Sequence, residues 1–383
     1  MKANWKGMAA VVAAAAALLA PGAVRAADPI IMAGVLELSG PGAGVGANWR
    51  DSLTMAAKEI NAKGGILGRP IELRFYDTQT NPGQARGQLQ KALDEEPYVI
   101  FGPTYSGSVK VAMMLAQQAE VPQFIGATAP ELTEMGNPYL FRMYFSQKLS
   151  IPKIADYMRD QLKAKTAVLI WANDDFGKGG RDTFLKEAAA RGIKVVADIS
   201  AENGQADFAA DVVKAKGSGA DAVFLYLHEE ENARFVREAV KQGYDKPMLG
   251  DATAMNPKVA ELAGSAANGL MGFIGLSADA PVPALQDYAA RFKAAYNYLP
   301  DHNGFQGYMA LYAIRAMTER VGKVDSKALA DAMRGGTITV EQEPNILLST
   351  TWNEHGDIDR EAFLARIEDG KQKIIQTLPK SGK

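Results

Sequence analysis

The chain has 383 residues, is 47% hydrophobic, and sets 42 Lys and Arg against 44 Asp and Glu for a formal net charge of −2. That mildly acidic balance speaks against nucleic acid, which calls for a basic stripe, and against a polybasic contact with a membrane surface. The absence of cysteine removes disulfides, Fe–S clusters, thiolate zinc and thiol nucleophiles together, so burial alone must stabilise the fold.

The N-terminal segment reads as an export signal. Lys2 and Lys6 precede an apolar, Ala-rich stretch from Met8 to Ala20, and Val24-Arg25-Ala26 places small residues where a signal peptidase reads. Cleavage is expected after Ala26, and the stretch is shorter than the ~20 residues of a spanning helix. Loss of Lys2, Lys6 and Arg25 leaves the remainder more acidic still. That remainder is long for one core and suits two domains.

Beyond the signal, strand and helix alternate. Ile30–Leu38 is a continuous apolar run, as in a strand buried on both faces. Gly40–Gly46 reads as a glycine-rich loop, and Arg50–Ala62 as a helix with Leu53, Ala56, Ala57 and Ile60 on one face. Strands are expected at Ile71–Tyr76, Tyr98–Phe101 and Pro122–Ile125, with helices at Gln84–Leu93 and Ser108–Ala119. This βαβ succession implies a parallel sheet. A long helix, Leu149–Leu162, opens a second series. Its strands are Thr166–Trp171, Ile193–Ile199, Ala222–Leu227, Pro247–Leu249 and Leu270–Gly275, and its helices are Arg181–Arg191, Phe208–Lys216 and Asn232–Gln242. Helices return at Ala284–Tyr296 and Gly304–Val321, before a short segment Ile346–Trp352 and a tail Glu361–Leu378. Two lobes of one architecture are expected, with the break near Tyr144–Leu149.

Ligands of parallel α/β sheets sit beyond the carboxyl ends of the strands, where helix N-termini offer free N–H groups and partial positive charge. Gly42-x-Gly44-x-x-Ala47 formally matches a dinucleotide fingerprint. The strand-end acid, Asp77, lies far beyond the ~20-residue spacing that a ribose contact needs, so a flexible loop at a cleft mouth is the simpler reading. In Gly102–Ser108, the hydroxyls of Ser106 and Ser108 either hold a carboxylate or cap the helix. In Gly126–Thr133, small residues such as Ala127 admit a ligand close to the backbone, and Thr128 either serves it or caps a turn. Asn173–Gly179, His228–Glu231 and Gly250–Thr253 are the matching loops of the second series. The Glu run is most simply a helix start, and His228 is either a ligand donor or a strand-end histidine. The three histidines stand in no zinc-protease spacing, and neither Gly-x-Ser-x-Gly nor a Walker-type loop occurs. No cofactor, metal or catalytic residue is expected.

Several segments resemble those of periplasmic binding proteins for branched-chain amino acids, the type I solute receptors of ABC importers. They are Ile60–Gly68, the Phe101-Gly102-Pro103 turn with Ser106, Ala127–Leu132, Phe176–Gly179 and Trp352–Asp357. The resemblance implies an α/β fold of two doubly wound parallel-sheet lobes joined by a three-strand hinge. Lobe one would hold 28–146 with 276–348, and lobe two 147–275 with 349–383. It also implies a monomer that closes on a small carboxylate ligand and delivers it to an ABC permease in the inner membrane. By the same resemblance, Ser106 and Thr128 hold the carboxylate, and the carbonyl of Gly126 faces an α-amine. Here the family pattern breaks. The glutamate that pairs with the amine aligns with Ala252, leaving neighbouring Asp251 as the substitute. Family tyrosines align with His228 and Phe176, and one half of a family disulfide with Tyr105. A buried ammonium needs a partner charge. Unless Asp251 supplies it, an aromatic or other organic acid fits better, with Phe176, Tyr105 and Trp49 as stacking surfaces if they are not simply core. A ligand-sensing module feeding a signalling partner and an NAD-type enzyme are the readings from other classes.

Overall fold

Ile30–Leu36 forms the first strand, β1, and almost every side chain in it is buried, as an apolar run between helices must be. The computed structural model describes residues 27–380; the expected export signal lies outside the described residues. From β1 the chain runs through α1 (Ala43–Ala62), β2 (Ile71–Asp77), α2 (Pro82–Leu93), β3 (Val99–Phe101), α3 (Ser106–Gln118), β4 (Gln123–Ile125), α4 (Glu131–Glu134) and β5 (Leu140–Arg142). The five strands form one parallel sheet in the order β2-β1-β3-β4-β5.

The second series is α5 (Gln147–Asp160), β6 (Thr166–Ala172), α6 (Asp175–Ala190), β7 (Lys194–Ala201), α7 (Ala209–Gly217), β8 (Ala222–Tyr226), α8 (Glu229–Lys241), β9 (Met248–Gly250), α9 (Pro257–Ala263) and β10 (Met271–Ile274). The chain then returns through α10 (Pro283–Tyr296), α11 (His302–Val321), α12 (Ser326–Met333), β11 (Thr337–Ile338), β12 (Thr350–Trp352) and β13 (Ile358–Asp359). It ends in β14 (Ala362–Glu368) and β15 (Lys371–Leu378). The second sheet runs β15-β14-β10-β9-β8-β6-β7: five parallel strands extended by an antiparallel hairpin. The result is two α/β lobes, each built on a parallel sheet, as the alternation of the sequence implied.

The chain passes between the sheets where β5 leads to α5, β10 to α10 and β13 to β14. These passages touch. The N–H of Gly275 donates to the Tyr144 hydroxyl at 2.8 Å, and the buried Arg360 guanidinium donates to the Met143 carbonyl at 3.1 Å. β12 and β13 pair with β11 in a small antiparallel sheet, and the Trp352 indole donates to the Arg142 carbonyl at 2.9 Å.

α1 packs along α11, whose residues from His302 through Ile314 are all buried. The predicted apolar face Leu53, Ala56, Ala57 and Ile60 is buried here as well, and each large apolar side chain so buried is worth about 1.5–3 kcal/mol. Most helices start two or three residues earlier than their sequence periodicity suggested, and two start a full turn or more earlier. α1 begins at Ala43, inside the stretch read as a loop, because a Cβ at position 46 would collide with the Glu37 carbonyl. Glycine therefore serves close packing of the helix on the end of the strand. α6 begins at Asp175 rather than Arg181, because the Asp174 carboxylate accepts from the Gly177 N–H at 2.8 Å and caps it. The short elements α4, β5, α9 and α12 escaped the periodicity reading; they hold too few apolar positions to register a period.

Candidate functional site

The wall contributed by the first sheet is made by two strand-to-helix loops. After β3, Thr104 and Tyr105 are fixed from below by Glu37, a fully buried carboxylate at the end of β1. Glu37 accepts from the Thr104 N–H at 3.2 Å, the Thr104 hydroxyl at 2.6 Å and the Tyr105 N–H at 3.3 Å. Burial pushes its pKa up, and these hydrogen bonds pull it back in part. Tyr105 then turns the chain into α3, whose first residues Ser106–Ser108 line a pocket shared with Asp174, Asp175 and Phe176 of the other lobe. After β4, the loop Gly126–Pro130 is held by the wholly buried Arg142. Its guanidinium donates to the carbonyls of Ala127 and Ala129 and pairs with Asp357 at 2.5 Å. The two loops are joined where the Ala129 N–H donates to Ser106 Oγ at 3.4 Å. The late Trp352–Asp357 segment thus works at a distance, by bracing Arg142 behind the loop.

The opposite wall is a stack of rings. His228 lies between Tyr105, at 4.9 Å between ring centroids, and Phe176, at 5.0 Å. Phe176 stacks in turn on Tyr226 at 4.4 Å. His228 Nε2 meets Asp174 Oδ2 at 2.6 Å. Burial opposes the charge on His228, but the hydrogen bond and charge of Asp174 outweigh it and raise its pKa. Burial likewise opposes charge on Asp174, yet the same bond lowers its pKa. Thr128 Oγ1 stands 3.5 Å from the Tyr226 hydroxyl and 3.3 Å from Gln147 Nε2, which also donates to the Phe176 carbonyl at 2.9 Å. The loops of both lobes therefore meet across one cleft.

Tyr105, Ser106, Gly126, Ala127 and Thr128 line a cavity of about 430 Å³ together with Phe176 and His228. Two of the residues singled out in the sequence are placed elsewhere. Trp49 is fully buried behind Gly126 and does not line the cavity. Asp251 turns into its own lobe, accepting from the Ser150 hydroxyl at 2.8 Å and the Ala252 N–H at 2.7 Å, and burial holds its pKa up at about 6. Six cavity residues were not singled out in the sequence: Val45, Thr104, Glu229, Thr253, His302 and Asn303. Val45 and Thr253 carry no signal of their own. His302 sits where the sequence reading began a helix two residues later, and burial lowers its pKa. Glu229 opens α8 as the Glu run implied, but it also faces the cavity, where burial, together with Asp301 and Glu231, raises its pKa to about 7. Among the described residues, no group of three or more His, Asp or Glu is placed to hold a metal ion.

A family model for periplasmic binding proteins matches residues 29–372. The chain belongs to that family. The family is one of solute receptors, not of enzymes. Among curated relatives, the Leucine-, isoleucine-, valine-, threonine-, and alanine-binding protein of Pseudomonas aeruginosa is 27% identical, over 82% of this chain and 84% of its own length. A Leu/Ile/Val-binding protein of Rhizobium johnstonii is also 27% identical, over 88% and 91%. Among solved structures, a solute-binding protein from R. palustris in complex with benzoate superposes with a TM-score of 0.84 at 21% identity, over 93% of this chain and 98% of that one. A branched-chain amino acid transporter binding protein from Streptococcus pneumoniae, in complex with isoleucine, gives 0.81 at 24% identity, over 91% and 99%. Both are likenesses of fold. No described helix is long and apolar enough to cross a membrane.

Proposed function

We propose that this chain is the exported, periplasmic solute-binding component of an ABC importer, and that it closes its lobes around a small carboxylate-bearing solute. The observation that carries this reading is that Ser106, at the first turn of α3, and Thr128 line one cavity between the lobes, with the positive end of α3 beside it. Such a wall grips an anion without an arginine. Inward-turned Asp251 leaves an α-ammonium without the expected partner, which favours an acid that carries no amine. The expected lobes, 28–146 with 276–348 and 147–275 with 349–383, are adjusted at one boundary: β12 and β13 pair with β11 and sit on Arg142, so lobe one extends through Asp359 and lobe two resumes with β14. Solute binding biases an open–closed equilibrium about the three passages, and a membrane permease receives the closed monomer. The solute leaves unchanged.

A second reading, a solute with a cationic amine, is favoured by Glu229, a carboxylate on the cavity wall. Both are tested by a thermal-shift panel of amino acids, their deaminated analogues and aromatic acids. A solute at 100 times its dissociation constant stabilises the fold by roughly 2.7 kcal/mol. Stabilisation by leucine but not by its deaminated analogue selects the amine reading. Ser106→Ala and Thr128→Val are each expected to weaken the best acid about tenfold or more, as loss of a hydrogen bond to a charged group does. Unchanged affinity in both variants would place the carboxylate elsewhere.

A further inference from the structure

Behind the cavity wall, buried polar atoms stand without partners. Trp49 and Gln306 are both fully buried, and Trp49 Nε1, Gln306 Nε2 and Gln306 Oε1 have no hydrogen-bond partner among the described residues. They meet at one point. A Cβ placed on Gly126 would stand 2.9 Å from Gln306 Oε1 and 3.5 Å from Trp49 Nε1. Gly126 itself lines the cavity, and Trp49 and Gln306 lie directly behind it. His302, only 7% exposed and also on the cavity wall, adds a third unpartnered group at Nδ1. Its Nε2 lies 3.3 Å from the Asn303 amide nitrogen and so serves as acceptor, which leaves Nδ1 the donor.

Each such atom left unsatisfied destabilises the fold. A packed core has no use for them, whereas a binding site does. We propose that Gly126 opens a polar subsite in which Trp49 and Gln306 hold a neutral hydroxyl of the solute, at the far side from its carboxylate. This rests on the carboxylate reading above and names the solute class more narrowly. The choice of a hydroxyl follows from the donor and acceptor inventory. The indole N–H only donates, so its partner must accept, and an ammonium does not. Gln306 Oε1 only accepts, so its partner must donate, and a carboxylate does not. An alcohol or phenol does both. Neither Trp49 nor Gln306 has a charged group bonded to it, which again suits a neutral substituent.

The test measures affinities for acids paired by one hydroxyl: benzoate with its three monohydroxy isomers, phenylalanine with tyrosine, valine with threonine. In the wild-type protein at least one hydroxylated member should bind about tenfold or more tighter than its partner, since a site built to bond a hydroxyl penalises the analogue that lacks it. Gln306→Met, which nearly keeps volume, and Trp49→Phe, which keeps an aromatic ring, remove the polar atoms and should each bring that ratio close to one. Gly126→Ala should do the same by filling the approach to Gln306 Oε1. Melting curves identify a variant that does not fold, and the ratio in the other variants then decides. Equal affinities within every pair overturn the inference, as does a preference that survives Gln306→Met. A crystal structure in which water alone occupies Trp49 Nε1 and Gln306 while a bound hydroxyl points elsewhere overturns it too. Acids that bind without hydroxyl preference sink this inference alone; a panel in which no acid binds sinks the carboxylate reading with it.

Discussion

Asp251 shows how a carboxylate that the sequence offers as a partner for an amine can be turned away from the cavity by the fold. The sequence places it at the end of a strand in the second lobe, next to the position of a family glutamate, and nothing in the order of residues says which way it turns. The fold turns it inward, 3% exposed, with the Ser150 hydroxyl and the Ala252 N–H as partners. Desolvation outweighs both and holds its pKa at about 6, against 3.8 for a free aspartate. A folded-state pKa above the unfolded one means the native state holds the proton more tightly. Stability from this group is therefore complete below about pH 4 and declines as pH rises through 6. At 1.36 kcal/mol per pH unit, the ionised form costs about 3 kcal/mol at neutral pH. Asp251→Asn, which keeps the shape and the neutral hydrogen bonds, should leave the melting temperature at pH 4 near that of the wild type and raise it at pH 8. A variant equally or less stable at pH 8 would show that the carboxylate is well solvated or well paired.

At the scale of elements, the sequence reading did best where periodicity had room to show. The buried run of β1, the apolar face of α1 and the βα alternation were all legible, and so was the placement of Ser106 and Thr128 on strand-to-helix loops. Helix starts were less so, because a start is decided by caps and close contacts, which periodicity does not encode. Asp174 is the clearest case. It was read as part of a loop, yet it caps α6 and also bonds His228 at the start of α8, so one side chain aligns two helices that carry the ring stack. Asn203 donates to it, and Glu229 and Glu231 add to the field that favours charged His228. Asp174→Ala should cost about 1 kcal/mol from the cap alone. The ion pair adds a pH-dependent part. His228, with its pKa raised, contributes below about 6.5 and loses that contribution as pH rises past its folded value; Asp174, with its pKa lowered, contributes above about 3.8 and loses it in stronger acid. The loss of stability in Asp174→Ala should therefore be larger at pH 5.5 than at pH 8.5 by thermal unfolding. An identical loss at both would mean that the cap is the whole effect.

At the scale of the molecule, the lobes touch across the cleft, and the contacts differ in what they cost to break. Lys110 on α3 reaches Asp175 on α6 at 2.9 Å, but both are exposed, and such a pair is worth at most about 1 kcal/mol. The bond between Asn256 and Asp301 is buried. Asn256 caps α9 through Oδ1, at 2.9 Å from the Lys258 N–H, while its Nδ2 donates to Asp301 Oδ2 at 2.8 Å. Asp301 in turn caps α11, accepting from the N–H groups of Asn303 and Gly304. Two helix caps from opposite sides of the cleft are thus tied through one amide, and no sequence pattern signals it, since each residue taken alone reads as an ordinary cap. Asn256→Asp keeps the α9 cap but replaces the donor with a carboxylate facing Asp301, with Glu229 nearby. Closing the lobes then forces like charges together out of water, while the open form separates them. If closure accompanies binding, the variant should have a larger radius of gyration in solution without solute, and an affinity weaker by about tenfold for each 1.4 kcal/mol removed from the closed state. Its melting temperature should change little by comparison, because the caps within each lobe survive. A variant as compact as the wild type, binding acids equally well, would mean that the Asn256–Asp301 bond does not hold the lobes together.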